Sequence, residues 1–96
     1  MIVSFADRAL EDLYHGRPSG RARRIPPTLH AAVLDLLDVL AAVSSLQDLR
    51  SPPGLRLEAL KGDLKGKHSI RVNDQWRLVF RWDGAVHDLA LMDYHR

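Results

Sequence analysis

The chain has 96 residues, 46% of them hydrophobic and two of them Trp, which suits one globular domain over residues 1–96 and leaves no room for a second. It has no cysteine, so disulfides, thiolate metal sites and thiol nucleophiles are excluded, in keeping with a reducing cytoplasm. A formal charge of +2 excludes neither a protein nor a nucleic-acid partner, and the placement of the charges carries more information than their sum.

Met1 to Phe5 reads as a short strand, with no basic start and long apolar run of the kind that makes a signal peptide. Ala6 to His15 predicts a short helix with Leu10, Leu13 and Tyr14 on one face and Gly16 as its stop. The following loop carries Arg17, Arg21, Arg23 and Arg24 without an acid and ends at Pro26-Pro27, which open the next helix. Leu29, Val33, Leu36, Leu37, Leu40 and Val43 then repeat at helical spacing, with Asp35 and Asp38 turned to water. The apolar run from Ala31 to Val43 is too short for the ~20 residues of a membrane span, so a soluble chain with no membrane partner is expected. Ser45 is expected to cap a further turn through Leu49, and Ser51-Pro52-Pro53-Gly54 breaks the chain.

Beyond that break the period changes. Arg56 to Leu60 reads as a strand, residues 61–66 as a turn and His68 to Val72 as a strand. Trp76, Leu78, Phe80 and Trp82 alternate with Gln75, Arg77, Val79 and Arg81. Asp83-Gly84 is a hairpin signal, and Val86 to Met92 is the last strand. Helices followed by a meander predict an α+β domain, with two N-terminal helices packed on one face of an antiparallel sheet. The other face then carries Ser69, Arg71, Arg77 and Arg81. With Lys65 and Lys67 these form a candidate RNA-binding surface.

Cleaving RNA through its own 2′-hydroxyl requires proton removal, neutralisation of charge at phosphorus, and protonation of the leaving oxygen. Lys, Arg, His and Tyr can supply all three without a metal or cofactor. Lys61, Arg77 and the terminal Asp93, Tyr94 and His95 are the candidates, since an antiparallel meander brings distant positions together. His15, His30 and His87 match no metal spacing and read as structural or surface residues.

The order Leu60-Lys61-Gly62-Asp63, Ser69-Ile70-Arg71-Val72, Asn73-Asp74-Gln75-Trp76-Arg77-Leu78 and Asp93-Tyr94-His95 resembles the HigB branch of the RelE/ParE toxin superfamily, over essentially the whole chain. The resemblance implies a microbial-ribonuclease-like fold that cuts messenger RNA in the ribosomal A site and inhibits translation. It also implies a HigA-type helix-turn-helix antitoxin as partner, which alone would contact operator DNA. Carried over, Lys61 and Arg77 hold the scissile phosphate. Asp93, Tyr94 and His95 orient substrate and move protons, with His95 the expected acid or base. Glu58 stands where well-studied members carry a histidine. A glutamate can act as a base but not as an imidazolium, and it repels phosphate; His68 is the other candidate for the base. Arg96 is a further candidate phosphate contact. Arg21, Arg23 and Arg24 are candidate antitoxin contacts. A ParE-like gyrase inhibitor and a degenerate toxin acting only as an antitoxin-binding co-repressor are the alternative readings.

Overall fold

The computed structural model describes residues 1–51 and 53–94, and the side chain of Pro53 lies outside the description with Pro52, His95 and Arg96. Helix α1 spans Arg8–Tyr14. Asp7 caps it, accepting from the Leu10 amide, and also accepts at 3.3 Å from the Leu91 amide, which ties the helix start to the sheet. The chain leaves α1 through Gly16 at φ +69, a left-handed position that suits glycine.

The loop to Ile25 is more ordered than its composition suggests. It includes a 3-10 turn over Ala22–Arg24, and a second such turn over Pro27–Leu29 leads into α2, His30–Ala42. Leu29, Val33, Leu37 and Leu40 are buried, while Leu36 and Val43 pack at the margin of the core. A third, short helix, α3, spans Gln47–Arg50 and buries Leu49. Ser45 does not cap it with its hydroxyl: the nearby side-chain bond runs from the Ser44 amide to the Asp48 carboxylate, at 3.3 Å.

Four strands follow: β1 (Glu58–Ala59), β2 (Lys67–Arg71), β3 (Trp76–Trp82) and β4 (Val86–Asp93). They pair antiparallel in the order β1-β2-β3-β4. The strand expected over Arg56 to Leu60 shrinks to two residues because Arg56 sits at φ 47, outside the extended region. The expected N-terminal strand reduces to two isolated parallel bridges, Ile2 to Val86 and Phe5 to Leu89.

Beside it, β4 carries a bulge where its register with β3 slips between Val79 and Arg81, and Asp88 there has φ 54. The Asp88 amide donates to the Ser4 hydroxyl at 2.9 Å, so the bulge anchors the N-terminal segment.

The core joins Leu10, Val33, Leu37, Leu40 and Leu49 of the helices to Ile70, Leu78, Phe80, Val86 and Leu89 of the sheet. The helices therefore cover one face of an antiparallel sheet, as the alternation of β3 requires. No helix among the described residues is long and apolar enough to cross a membrane.

Candidate active site

The face turned away from the helices, with Ser69 and Val79 buried at its centre, is organised by strand register. Arg71 lies opposite Arg77, Arg77 opposite Met92, and Glu58 opposite Ser69. Trp76 pairs with Asp93, so the chain leaving β4 passes alongside Arg77. The Tyr94 amide donates to the Gln75 carbonyl at 2.5 Å, and the Gln75 side-chain amide donates to Asp93 at 3.2 Å.

Arg77 is the centre of this face, its side chain only 13% exposed. Its Nη1 donates to the Ser69 hydroxyl at 2.9 Å and to the Arg56 carbonyl at 3.2 Å. Its Nη2 donates to Glu58 at 3.1 Å. The guanidinium carbon lies 5.7 Å from the centre of the Tyr94 ring, a cation–π distance. A guanidinium has five N–H donors; the three bonds engage Nη1 twice and Nη2 once, so the Nε hydrogen and one Nη2 hydrogen have no described acceptor. The left-handed turn at Arg56 is what turns its carbonyl to Arg77, a strained backbone position serving a site.

Ser69 was expected to contact RNA, and its burial corrects that: the side chain is fully enclosed, and its hydroxyl is a ligand of Arg77. The other arginines of this face are also paired. Arg71 bonds Asp74, and Arg81 lies 3.4 Å from both Asp83 and Asp88. Lys61, Lys65 and Lys67 make no ion pair with described residues.

The structure brings Glu58, Ser69, Arg77 and Tyr94 together, with Asp93 held beside them. No described contact joins Lys61 to this group: it is exposed at the start of a 3-10 turn over Gly62–Leu64, three residues beyond Glu58. His95, the expected proton carrier, and Arg96 lie outside the described residues.

His68 sits on the opposite, helix-covered side, stacked on Phe80 with centroids 6.2 Å apart. Its buried Nδ1 has no hydrogen-bond partner among the described residues. Burial, and then the Arg50 charge, hold its pKa below the ordinary value of 6.5, and its stacking on Phe80 turns it away from Arg77.

The remaining histidines hold the fold. His30 Nε2–H donates to the Ile25 carbonyl at 2.8 Å, His87 pairs with Asp83, and His15 packs against Phe5 and Tyr14. No group of three metal-ligating side chains occurs among the described residues.

A second feature lies away from this face. Asp12 is buried at the end of α1, bonded by the Ser19 hydroxyl at 2.8 Å and by Arg21 at 3.2 Å, with Arg17 at 3.7 Å. The Ser19 bond outweighs the cost of burial, and the two arginines add to it, so the carboxyl is held below its ordinary pKa. A cavity of about 350 Å³ opens there, lined by Leu13, Pro18, Ala22, Arg23 and His30 among others. Arg21 is thus committed to Asp12, while Arg23 and Arg24 are exposed without an acidic partner among the described residues.

The model of the HigB-like toxin family, the RelE-like toxin of type II toxin-antitoxin system HigB, matches residues 3–95. Toxin HigB-1 of Vibrio cholerae is 42% identical over 96 residues, spanning 100% of this chain and 99% of that protein. An uncharacterized protein of Haemophilus influenzae is 35% identical over 72 residues, 75% of this chain and 71% of its own. Among solved structures, the YoeB-YefM complex from Staphylococcus aureus matches with a TM-score of 0.59 over 100% of this chain and 97% of that one, at 23% identity, a likeness of fold.

Proposed function

The chain belongs to the HigB family of RelE-like toxins of type II toxin-antitoxin systems, and on that premise we propose that it is a ribosome-dependent endoribonuclease that cuts messenger RNA in the A site. The observation that carries this reading is the seating of Arg77: a guanidinium fixed by a buried hydroxyl and a carbonyl, two donors unspent, with a phenol ring beside it. A cation held in place before substrate arrives stabilises charge developing on phosphate without reorganising, which is where electrostatic catalysis gains most.

In this reaction the RNA supplies the nucleophile. Its 2′-oxygen attacks the adjacent phosphorus, a P–O bond to the 2′-oxygen forms and the bond to the 5′-oxygen breaks, leaving a cyclic phosphate. Arg77 takes the non-bridging oxygens. Tyr94 and His95 are the proton carriers at that end, and such positioned proton transfer is worth about 10²–10⁴-fold. Asp93, held by Gln75, orients the terminal motif. Lys61, Lys65, Lys67, Arg71 and Arg81 draw the RNA backbone to the face, a sequence-independent and salt-sensitive attraction. The chemistry asks for no metal or cofactor.

The partner that restrains a type II toxin is an antitoxin, here of the HigA helix-turn-helix type, through which alone operator DNA is reached. Its docking site is the surface of Arg21, Arg23 and Arg24. Reversing Arg23 and Arg24, which leaves the Asp12–Arg21 pair intact, is expected to weaken the complex, with full retention counting against that surface.

The deciding experiment maps cut ends on a translated message. Cuts in the presence of ribosomes, absent without them and lost in Arg77→Ala, are expected. An Arg77→Ala protein that cuts as well as wild type would remove the site, and inhibition of DNA supercoiling by the purified chain in place of cutting would favour the gyrase reading.

A further inference from the structure

An RNA phosphate must reach Arg77, and in the free protein an anion is already there. We propose that Glu58 occupies the phosphate seat on Arg77 and is displaced when RNA binds, so that this carboxylate sets substrate affinity and is not the general base. The inference rests on the ribonuclease reading for the identity of the displacing anion, and on geometry for the rest.

The bonds around Arg77 are unequal. On Nη1 the acceptors are a fully buried hydroxyl and a main-chain carbonyl, neither of which can swing out into water as a long exposed side chain can. On Nη2 the acceptor is a side chain 56% exposed, carried by a two-residue strand at the sheet edge. Glu58 has no second side-chain bond among the described residues. One end of the guanidinium is therefore anchored, and the other is covered by a group free to rotate into water.

Carboxylate and phosphate make the same paired N–H···O contacts with arginine, so one can replace the other without moving the guanidinium. The exchange is favoured because Glu58 is the exposed partner and its carboxylate regains water as it leaves, while the arriving phosphate keeps Arg77 paired. A carboxylate bonded to Arg77 is also poorly placed as a base. Once phosphate arrives, its charge drives it away from the reacting atoms.

The test measures binding of the full chain, without antitoxin, to a short RNA carrying 2′-deoxyribose at the scissile position, which cannot be cut. Glu58→Gln is expected to bind about two- to fivefold tighter, the range of an exposed ion pair. The gain is expected to vanish in the Arg77→Ala background, with Arg77→Gln as a second background should the alanine protein unfold. Equal or weaker binding by Glu58→Gln overturns the proposal. So does a gain of the same size without Arg77, which would mark a general charge effect. Cleavage on ribosomes is read separately. A chain that shows the Arg77-dependent gain but cuts nothing refutes the ribonuclease reading and leaves the exchange standing. One that cuts and shows no gain does the reverse.

Discussion

Replacing Ser69 by Ala tests whether Arg77 acts from a fixed position. The substitution removes one acceptor from Nη1 and leaves the Arg56 carbonyl. A hydrogen bond to a charged group contributes about 1.5–3 kcal/mol, and with one acceptor surviving the low end applies, about 1.5 kcal/mol. For a domain of this size that lowers Tm by roughly 6–12 °C. If the same bond holds the guanidinium in its reactive place, the equilibrium constant for seating Arg77 falls by about tenfold, and ribosome-dependent cleavage falls by up to that factor. The assay is initial cleavage rate at a temperature well below the new Tm, beside antitoxin binding as a measure of intact fold. The expected signature is a lower maximal rate, rescue by Ser69→Thr, and unchanged antitoxin affinity. A protein that loses the stability but cuts at the wild-type rate, while Arg77→Ala is inactive, would show that Arg77 needs no such anchor.

Three further outcomes follow from single features. Arg56→Gly keeps the carbonyl bonded to Arg77 and relieves a left-handed non-glycine residue, so thermal melting should show unchanged or slightly raised stability, by up to about 1 kcal/mol; a clear loss would mean the Arg56 side chain holds the turn. His68 has a folded pKa below the ordinary 6.5, so the unfolded chain binds more protons there and stability falls as pH drops from about 7 toward the lower folded value. Urea midpoints at pH 7.5 and 5.5 should differ less in His68→Phe than in wild type, and an equal difference would acquit His68. Asp12 contributes stability above its ordinary value of 3.8 that is lost as pH falls through the depressed folded value. Ser19→Ala, which removes the largest cause of the depression, should move acid unfolding to higher pH, and an unmoved acid transition would contradict this.

Patterns of period two and of helical spacing were legible because burial alone imposes them. Trp76, Leu78, Phe80 and Trp82 face the helices as their alternation requires, and the Leu29-to-Val43 stripe lies on the core. The expectations that shifted depend on pairing, which a single segment does not carry. Met1 to Phe5 reads as a strand but finds a partner interrupted by the Asp88 bulge, so it touches β4 at two points without forming a ladder. Arg56 to Leu60 has strand-like residues, yet the need to turn one carbonyl toward Arg77 costs it the extended backbone at Arg56. Ser45 is a good capping type, yet its carbonyl and not its hydroxyl takes the Asp48 amide, at 3.2 Å.

The arginines of the candidate site are legible by residue type, and their charge is misleading. Arg71, Arg77 and Arg81 stand out in the chain as cations on a polar face, but their countercharges differ in how far away they are. Asp74 and Asp83 lie within three residues of the arginines they neutralise, so local spacing alone could have revealed them. Glu58 and Asp88 reach theirs only through strand register and the bulge, and Ser69 is recognisable as an anchor only once its burial is known. A row of arginines therefore does not measure the pull of this face on a polyanion. On the ribonuclease reading, long-range attraction for RNA would rest more on Lys61, Lys65 and Lys67, which have no acidic partner among the described residues. The paired arginines act at short range, where a phosphate must compete with a carboxylate for each guanidinium. Affinity built from exposed lysines and selectivity built from contested arginines would let the chain approach any RNA and engage only one that brings its phosphate squarely onto Arg77.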